Sequence, residues 1–389
     1  MMPTKSYNLC CLIDSLGSGG AQRQMTRLIR ALVEQGHRVR LVTYYPQYDH
    51  FLPEVKSLGV EPEYVETRSK LLRFLGVRRA IRRNQTDCII SFLDTPNLMA
   101  VLSSLGLTRI PVVVSERSLN VDGKTWVNWV RFQAFRFATR IVTNSYSQAQ
   151  FVNKNYPFLI EKVRTILNSV DLDDFHPREP QTTSFPIRII VGASVNPAKN
   201  TLRFLEAVSL AVRRLPPGKL HIDWYGNNFF VNGEPTAASG YYLEAVALVK
   251  KLGLENCFQF HPVVDDLHLR FKHYDAACLP SVFEGCPNFV CEAMASGLPI
   301  LASNVSDLPM IVGSDCGSLF DPKSAPDIAR VLTEFALEET SKSTHRRSAA
   351  RDRAEKLFAP KIFAQSFENV VFEAIGRAKI ETTKTQGQI

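Results

Sequence analysis

Two glutamates, Glu284 and Glu292, stand eight positions apart, and a glycine and a proline lie between them. The apolar residues 276–280 predict a strand before this pair, and residues 288–296 predict a short helix. A strand, a loop and a helix N-terminus in that order form an anion site, because free N–H groups and the helix dipole both favour a phosphate. With Glu284 on the loop and Glu292 in the helix, the two carboxylates could contact different parts of one ligand.

The alternative for an isolated pair of glutamates is a pair of solvated surface charges. The neighbours of Glu292, residues 290–294, are otherwise apolar, so its helix predicts a buried position. A buried carboxylate is costly unless it is hydrogen-bonded, which favours a ligand partner for Glu292.

A glycine-rich loop, residues 15–22, follows the first apolar run of the chain. Gly19 and Gly20 would let the backbone approach a ligand at the start of a helix. The third glycine of a dinucleotide-binding fingerprint is replaced by Gln22, so a nicotinamide or flavin site is not indicated. A tight turn without a ligand remains the alternative.

A second strand end, at Gly192, is followed by Lys199 at the start of the next predicted helix. A lysine beside exposed N–H groups could neutralise a diphosphate leaving group. A solvated lysine near a helix start is the alternative.

Metal chemistry is not predicted. Asp171 and Asp173 resemble the D-x-D motif of metal-dependent sugar transferases, but they lie in a linker-like stretch where turn formation explains them. The histidines and cysteines show no ligand spacing, and the cysteines are expected to be reduced and buried.

Strand-like and helix-like segments alternate along the chain, which predicts parallel sheets covered by helices on both faces. The rhythm breaks at residues 171–186, which have linker composition, and then restarts. We therefore predict two doubly wound Rossmann-like domains that face a central cleft, with ligands at the carboxyl ends of the strands. The strands are predicted at 7–13, 38–45, 88–92, 111–114, 141–143, 187–191, 220–225, 257–260, 276–279 and 300–302.

The net charge of +8 belongs to the first half of the chain, much of it to residues 68–83. Basic residues alternate there with apolar ones and predict a basic amphipathic helix. It is either an ordinary solvated face or a surface that contacts an anionic membrane or an acidic acceptor. No base-reading module accompanies the charge, so nucleic acid is not predicted, and no apolar run is long enough for a membrane span. The basic residues are Arg68, Lys70, Arg73, Arg78, Arg79, Arg82 and Arg83.

Together these segments resemble the family 4 glycosyltransferases of the GT-B fold, and the resemblance covers nearly the whole chain. The strongest match is the run from Pro280 to Pro299, which contains the E-x7-E motif. The resemblance implies an enzyme that transfers sugar with retention from a UDP-, GDP- or ADP-sugar. We expect it in the cytoplasm, at the inner face of the cell membrane, where the basic residues 68–83 could contact anionic lipid. No metal or other cofactor is expected. The acceptor is expected to be a glycan or a lipid-linked acceptor in polysaccharide or cell-surface glycan synthesis, and the lipid-linked alternative rests only on the basic residues 68–83.

The resemblance also implies residue roles. Catalysis would use Glu284 on the sugar hydroxyls, with Lys199 and Arg117. The donor would be bound by Glu292 on the ribose, by the diphosphate-binding groups and by the glycine loop. These donor-binding residues are Gly19, Gly20, Gly192, Lys199, Pro287, Asn288, Phe289 and Glu292.

The same resemblance divides the chain into three parts. Residues 1–180 would form an acceptor-binding domain and residues 181–360 a domain that binds the nucleotide sugar. Residues 361–389 would form a helix that packs back on the first domain, followed by a polar tail.

The sequence departs from the family pattern at three places. Ala193 stands where the family usually has an arginine, and Met310 replaces a frequent glutamate. A histidine common in the first domain is not evident, and Arg117 could take part of its role. These departures motivate an alternative function, a non-catalytic subunit that binds a nucleotide sugar or a glycan.

Overall fold

The computed structural model describes residues 6–83, 85–106, 110–117, 126–177, 186–226, 230–231, 234–235, 239–264 and 266–386. The chain divides into two compact units. The first consists of Met1–Ser169 with Pro360–Ile389, and the second is Val170–Ala359. Residues 178–185 of the predicted linker lie outside the described residues.

Strands and helices alternate along the chain. The strands are β1 (Asn8–Leu12), β2 (Arg38–Thr43), β3 (Pro62–Tyr64), β4 (Cys88–Phe92), β5 (Val112–Glu116), β6 (Arg140–Thr143), β7 (Val163–Thr165), β8 (Ile187–Gly192), β9 (Leu220–Tyr225), β10 (Phe230–Val231), β11 (Glu234–Pro235), β12 (Phe258–His261), β13 (Ala276–Leu279), β14 (Ile300–Ser303) and β15 (Gly317–Phe320). The helices are α1 (Gly20–Glu34), α2 (Leu52–Ser57), α3 (Lys70–Arg82), α4 (Asp94–Ser104), α5 (Trp126–Ala134), α6 (Tyr146–Asn155), α7 (Thr201–Val212), α8 (Ser239–Lys251), α9 (Leu267–Arg270), α10 (Asn288–Ala295), α11 (Leu308–Val312), α12 (Ala325–Ala336), α13 (Thr340–Phe358) and α14 (Pro360–Gln386).

The first unit is built on a parallel sheet with the strand order β3-β2-β1-β4-β5-β6-β7. One face packs against α1, α2 and α14, and the other packs against α3, α4, α5 and α6. Both faces are covered, which explains why its strands are nearly continuous runs of apolar residues.

The last helix, α14, belongs to the first unit and packs against α1. Phe367 is fully buried, and its ring lies 4.8 Å from that of Phe363 and 5.9 Å from that of Phe92. The helix continues through the polar end of the chain to Gln386. The C-terminal segment thus completes a hydrophobic core formed mainly by the first part of the chain.

The second unit has a parallel sheet with the order β12-β9-β8-β13-β14-β15. Helices α7, α8 and α12 fill one face, around the fully buried Trp224. Val191 points into that core, so the neighbouring Gly192 faces the opposite side, where Phe289 of α10 contacts it. This sheet too has helices on both faces.

The predicted fold, two doubly wound parallel-sheet domains, is confirmed, and every predicted strand is present. The sequence did not reveal β3, β7 and β15. These lie at the edges of the two sheets, and polar residues or a glycine interrupt each of them, so they form no apolar run. Among the described residues, no helix has the length and apolarity needed to span a bilayer.

Replacing Phe367 with alanine should lower the free energy of unfolding by about 3 to 5 kcal/mol, since a buried ring is lost and a cavity remains. Hydrogen exchange should show the loss in the first unit's strands and not in the second unit's. Ile362→Ala is the control, because that side chain on the same helix is exposed and should change stability by less than about 0.5 kcal/mol. Equal effects of the two changes would show that α14 is not part of the core.

Candidate active site

The sheet of the second unit reverses its strand order between β8 and β13. From β8 the chain continues to β9 and β12, and it then returns to the other side of β8 with β13. In open α/β sheets, ligands bind outside the carboxyl ends of the strands at such a reversal. Two loops lie there, residues 193–200 after β8 and residues 280–287 after β13.

An ion pair joins these two loops. Lys199 Nζ donates a hydrogen bond to Glu284 Oε1, and their side chains are 26% and 10% exposed. A backbone hydrogen bond of 2.9 Å from Val282 N to Ala198 O holds the same loops together. The charged pair therefore lies on a braced junction and is only partly accessible.

Asn200, next to Lys199, stabilises the junction of the two loops through its side chain. Its buried side chain donates hydrogen bonds to the carbonyls of Pro280, at 3.1 Å, and Pro322, at 2.7 Å. Its backbone is left-handed, with φ of 62°, a conformation that asparagine tolerates better than most residues. Two strand ends are thereby tied to the start of α7.

The position of Lys199 differs from the sequence prediction. It ends a short 3-10 turn, Pro197–Lys199, and α7 begins only at Thr201. The left-handed Asn200 separates the turn from the helix, so Lys199 does not lie in the first helical turn. Asn196 Oδ1 accepts a hydrogen bond of 3.0 Å from Lys199 N and thereby stabilises the turn.

The predicted helix after the loop is present as α10. Pro287 is its N-cap, Asn288 is its first residue, and Gly297 follows its C-cap with φ of 70°. Glu292 lies on this helix and is 2% exposed. The prediction of a buried carboxylate on an apolar helix is confirmed.

Gly192 is a point of close approach. A Cβ atom added there would lie 2.2 Å from Phe289 Cδ2. A Cβ at Gly226, just after β9, would lie equally near, at 2.2 Å, to the carbonyl oxygen of Ala193. These glycines let the end of β8 lie directly against the first turn of α10 and against the end of β9.

The other predicted site residues lie in the first unit. Gly19 is the N-cap of α1, and Gly20 is its first residue, at the carboxyl end of β1. Arg117 follows β5. Its guanidinium hydrogen-bonds to Asn168 Oδ1 at 2.5 Å and lies 4.8 Å from the centre of the Phe92 ring. The structure thus brings the predicted residues of the second unit together, and it places Gly19, Gly20 and Arg117 at the carboxyl edge of the first sheet.

Two sequence families match the chain. The family described as Glycosyltransferase Family 4 matches residues 18–174, and the one described as Glycosyl transferases group 1 matches residues 186–336. The chain belongs to the family 4 glycosyltransferases. It is an enzyme, and its two domains, each a parallel sheet covered by helices, have the architecture of the GT-B fold.

Proteins similar to this glycosyltransferase include named glycosyltransferases. A Campylobacter jejuni enzyme is 23% identical over 73% of this chain and 75% of its own length; its name is GalNAc-alpha-(1->4)-GalNAc-alpha-(1->3)-diNAcBac-PP-undecaprenol alpha-1,4-N-acetyl-D-galactosaminyltransferase. The crystal structure of a Rickettsia africae glycosyltransferase has a TM-score of 0.79 at 16% identity, and covers 96% of this chain and 99% of that one. HepE from Anabaena, crystallised with UDP and glucose, has a TM-score of 0.78 at 17% identity, over 94% of this chain and 99% of its own.

A buried polar network supports the carboxyl edge of the glycosyltransferase's first sheet. Arg131 pairs with Glu116 at 3.1 Å and with Asp94, and Asn97 Nδ2 hydrogen-bonds to Glu116 at 3.1 Å. Burial raises the pKa of Glu116 to about 7 and Asp94 raises it too, whereas Arg131 and Asn97 lower it. Sequence reasoning missed this network because its members are distant in the chain.

A second network was also missed. Asp223 of β9 accepts hydrogen bonds from Tyr274, at 3.0 Å, and Arg188, at 3.1 Å, and lies 2.6 Å from His261 Nε2. Burial raises the pKa of Asp223, but its hydrogen bonds with His221, His261 and Tyr274 outweigh burial and hold the pKa well below its usual range. The sequence signal that could have revealed this network is a charged residue, Asp223, inside a predicted apolar strand.

The aspartates of the D-x-D sequence form a turn. Asp171 Oδ1 accepts hydrogen bonds from the backbone N–H groups of Asp173, at 3.1 Å, and Asp174, at 3.2 Å. The prediction of turn chemistry is confirmed. Within the described ranges, histidine, cysteine and acidic side chains form no group of three or more that could hold a metal ion.

Gly192→Ala should destabilise the second unit by about 1 to 3 kcal/mol, because the added methyl group overlaps the Phe289 ring. In a Phe289→Ala background the same change should cost much less, and a double-mutant cycle measured by denaturant unfolding would give the coupling energy. Gly240→Ala is the control, since nothing lies within 4 Å of its added Cβ. Additive effects of the Gly192 and Phe289 changes would contradict the close packing.

Proposed function

We propose that this glycosyltransferase moves a sugar, with retention at the anomeric carbon, from a nucleotide diphosphate sugar to a glycan or lipid-linked acceptor. The reaction needs no metal ion and serves the synthesis of polysaccharides or cell-surface glycans. The observation that carries the proposal is the Lys199–Glu284 pair at the β8/β13 reversal, beside the N-terminus of α10.

The donor's diphosphate is assigned to the first turn of α10 and to Lys199. The backbone N–H groups around Asn288 and Phe289 open a helix with no acidic residue in its first turn, which suits an anion. Pro287 sets the direction in which the chain enters this turn, and Gly192 leaves room for the turn beside β8. Lys199 adds a positive charge that offsets the charge developing on the leaving group.

The two glutamates are assigned to different parts of the donor beyond its diphosphate. Glu292 lies within the helix, past the phosphate-binding turn, and is assigned to the ribose hydroxyls. Glu284 lies on the loop before that turn and is assigned to hydroxyls of the transferred sugar. A carboxylate accepts hydrogen bonds from paired hydroxyl groups, and limited exposure strengthens those bonds.

The Lys199–Glu284 ion pair has a role in this scheme. With no donor, each charge neutralises the other across the loop junction. A bound diphosphate offers Lys199 a stronger counter-charge, and Glu284 is then available to the sugar. Transfer breaks the bond between the anomeric carbon and the diphosphate oxygen and forms a bond to the acceptor oxygen, and the acceptor's proton passes to the leaving diphosphate.

Acceptor binding is assigned to the first domain, residues 1–180, and donor binding to residues 181–360. The roles predicted for Gly19 and Gly20 in donor binding and for Arg117 in catalysis stay predictions; the glycines lie at the exposed N-terminus of α1, and Arg117 lies at the carboxyl edge of the same sheet. HepE was crystallised with UDP, which supports a uridine diphosphate donor ahead of a GDP- or ADP-sugar. The PP-undecaprenol in the Campylobacter enzyme's name supports a lipid-linked acceptor.

We further propose that residues 68–83 contact an anionic membrane and that the enzyme works in the cytoplasm at the inner face of the cell membrane. Two of the seven basic residues are less suited to membrane contact, because their guanidinium groups are hydrogen-bonded within the protein. Arg73 is buried and donates to Thr67 O at 3.0 Å, and Arg78 donates to the carbonyls of Ser103 and Leu105. The exposed basic residues of the segment are Arg68, Lys70, Arg79, Arg82 and Arg83.

Thermal unfolding with UDP, GDP or ADP tests donor binding. A ligand at 100 times its Kd should stabilise the protein by about 2.7 kcal/mol, a shift of several degrees in Tm. Donor hydrolysis, transfer to membrane extract and NMR analysis of the product's anomeric configuration test the reaction. Binding without hydrolysis or transfer would support the non-catalytic alternative, and no response to any nucleotide would contradict the proposal.

The two glutamates should separate binding from turnover. Glu292→Gln should abolish the thermal shift by the nucleotide, because ribose hydroxyls lose a charged acceptor. Glu284→Gln should keep most of that shift and lower kcat at least about a hundredfold, corresponding to the loss of about 3 kcal/mol of transition-state stabilisation. Glu206→Gln, an exposed change on α7, is the control and should alter neither. Loss of nucleotide binding in Glu284→Gln would contradict this division of roles.

A further inference from the structure

Helix α5 exposes four large apolar side chains and buries two polar ones, although its Phe132 is buried in the core. Asn128 and Arg131 are 4% and 5% exposed, whereas Trp126 is 75% exposed and Trp129 is 57% exposed. Arg131 is held inside by its pairs with Glu116 and Asp94, so the orientation of the helix is fixed by an ion-pair network. The exposed apolar residues of this helix are Trp126, Val127, Trp129 and Val130.

The neighbouring elements expose apolar side chains as well. Helices α3, α4 and α5 pack side by side against one face of the first sheet, with α6 completing that layer. Among the described side chains of the opposite layer, α1, α2 and α14, Ile362 alone is large, apolar and exposed. We call the following set the outer apolar surface. It consists of Leu71, Leu72, Leu75, Leu102, Leu105, Trp126, Val127, Trp129, Val130, Phe137, Phe158 and Ile160.

Positive charge accompanies this surface. Residues 68–83 contain seven basic residues and no acidic one. Next to Phe137, the exposed Arg136 lies 5.1 Å from the centre of the Phe158 ring. Tryptophan favours the headgroup region of a bilayer, where its ring is apolar and its N–H stays hydrated, and basic residues are attracted to anionic headgroups.

We propose that the outer apolar surface docks on an anionic lipid bilayer and that Trp126 and Trp129 insert into its interface. This extends the membrane contact of residues 68–83 in the proposed function: basic residues supply attraction, and the α5 tryptophans supply insertion. Two copies of the chain that met through this surface in a twofold dimer would bring like charges together, which disfavours self-association.

The protein carries its own probe of insertion. Its three tryptophans are Trp126, Trp129 and Trp224. Trp224 is fully buried and donates a hydrogen bond of 2.7 Å to Ala193 O, so its emission should not respond to lipid. Adding vesicles of phosphatidylglycerol and phosphatidylcholine should shift the emission of the full chain to the blue, and brominated lipid should quench it. The absence of both effects would overturn the proposal.

Variants then separate insertion from attraction. Trp126→Ser/Trp129→Ser should lower the partition coefficient at least about tenfold, because the apolar area leaving water is lost. Arg79→Gln/Arg82→Gln should weaken binding to anionic vesicles only, and high salt should have the same effect. Leu243→Ser and Leu337→Ser, exposed positions in the second unit, are the matched controls. If the tryptophan variant binds vesicles as well as these controls do, the proposal is wrong.

Sedimentation velocity without lipid tests whether a second copy of the chain, instead of a bilayer, covers the outer apolar surface. The wild-type chain should be no more associated than the tryptophan variant, and a dimer that the variant abolishes would assign the surface to a second copy. Should the double variant fail to fold, quenching of the wild-type chain by brominated lipid still decides the question. All these measurements omit donor and acceptor, so failure of docking is distinguishable from failure of sugar transfer.

Discussion

The pairing of β8 with β13 is the constraint on which the candidate active site depends. These strands are neighbours in the sheet although β9 to β12 and the helices α7, α8 and α9 lie between them in the chain. Their pairing fixes where the loops after each strand emerge. Asn200, in the loop after β8, then donates hydrogen bonds to the carbonyl of Pro280 after β13 and to that of Pro322 after β15. Lys199 and Glu284 can form an ion pair only because this backbone arrangement brings them within reach.

Close packing makes the same junction rigid. Gly192 has no room for a Cβ beside the Phe289 ring of α10, and Gly226 has none beside the Ala193 carbonyl. The two strand ends therefore lie close to each other, and the Phe289 ring packs directly on the end of β8. A rigid junction keeps a helix N-terminus, an ammonium group and a carboxylate in fixed relative positions, which is what stabilising a charged leaving group requires. For the same reason, substitutions at Gly192 and Gly226 are expected to be poorly tolerated.

The first unit shows how a buried ion pair can determine a surface. Arg131 and Glu116 are both buried, and the charge of one is tolerable only because the other is present. Their pairing turns one side of α5 inward, and Trp126 and Trp129 consequently face outward. A sequence pattern alone would have placed the tryptophans of this helix in the core, since large apolar residues are usually buried.

The sequence by itself determined the class of fold, the strands of both sheet interiors, the helix that carries Glu292 and the turn at Asp171. Each depends on local patterns: apolar runs, a proline and a glycine at the helix ends, or an aspartate that bonds to the next N–H groups. The tertiary structure decided the Lys199–Glu284 pair, the left-handed Asn200, the short edge strands and the polar networks of Glu116 and Asp223. Those features join residues distant in the chain, so their energies depend on strand order and packing, which no local pattern encodes.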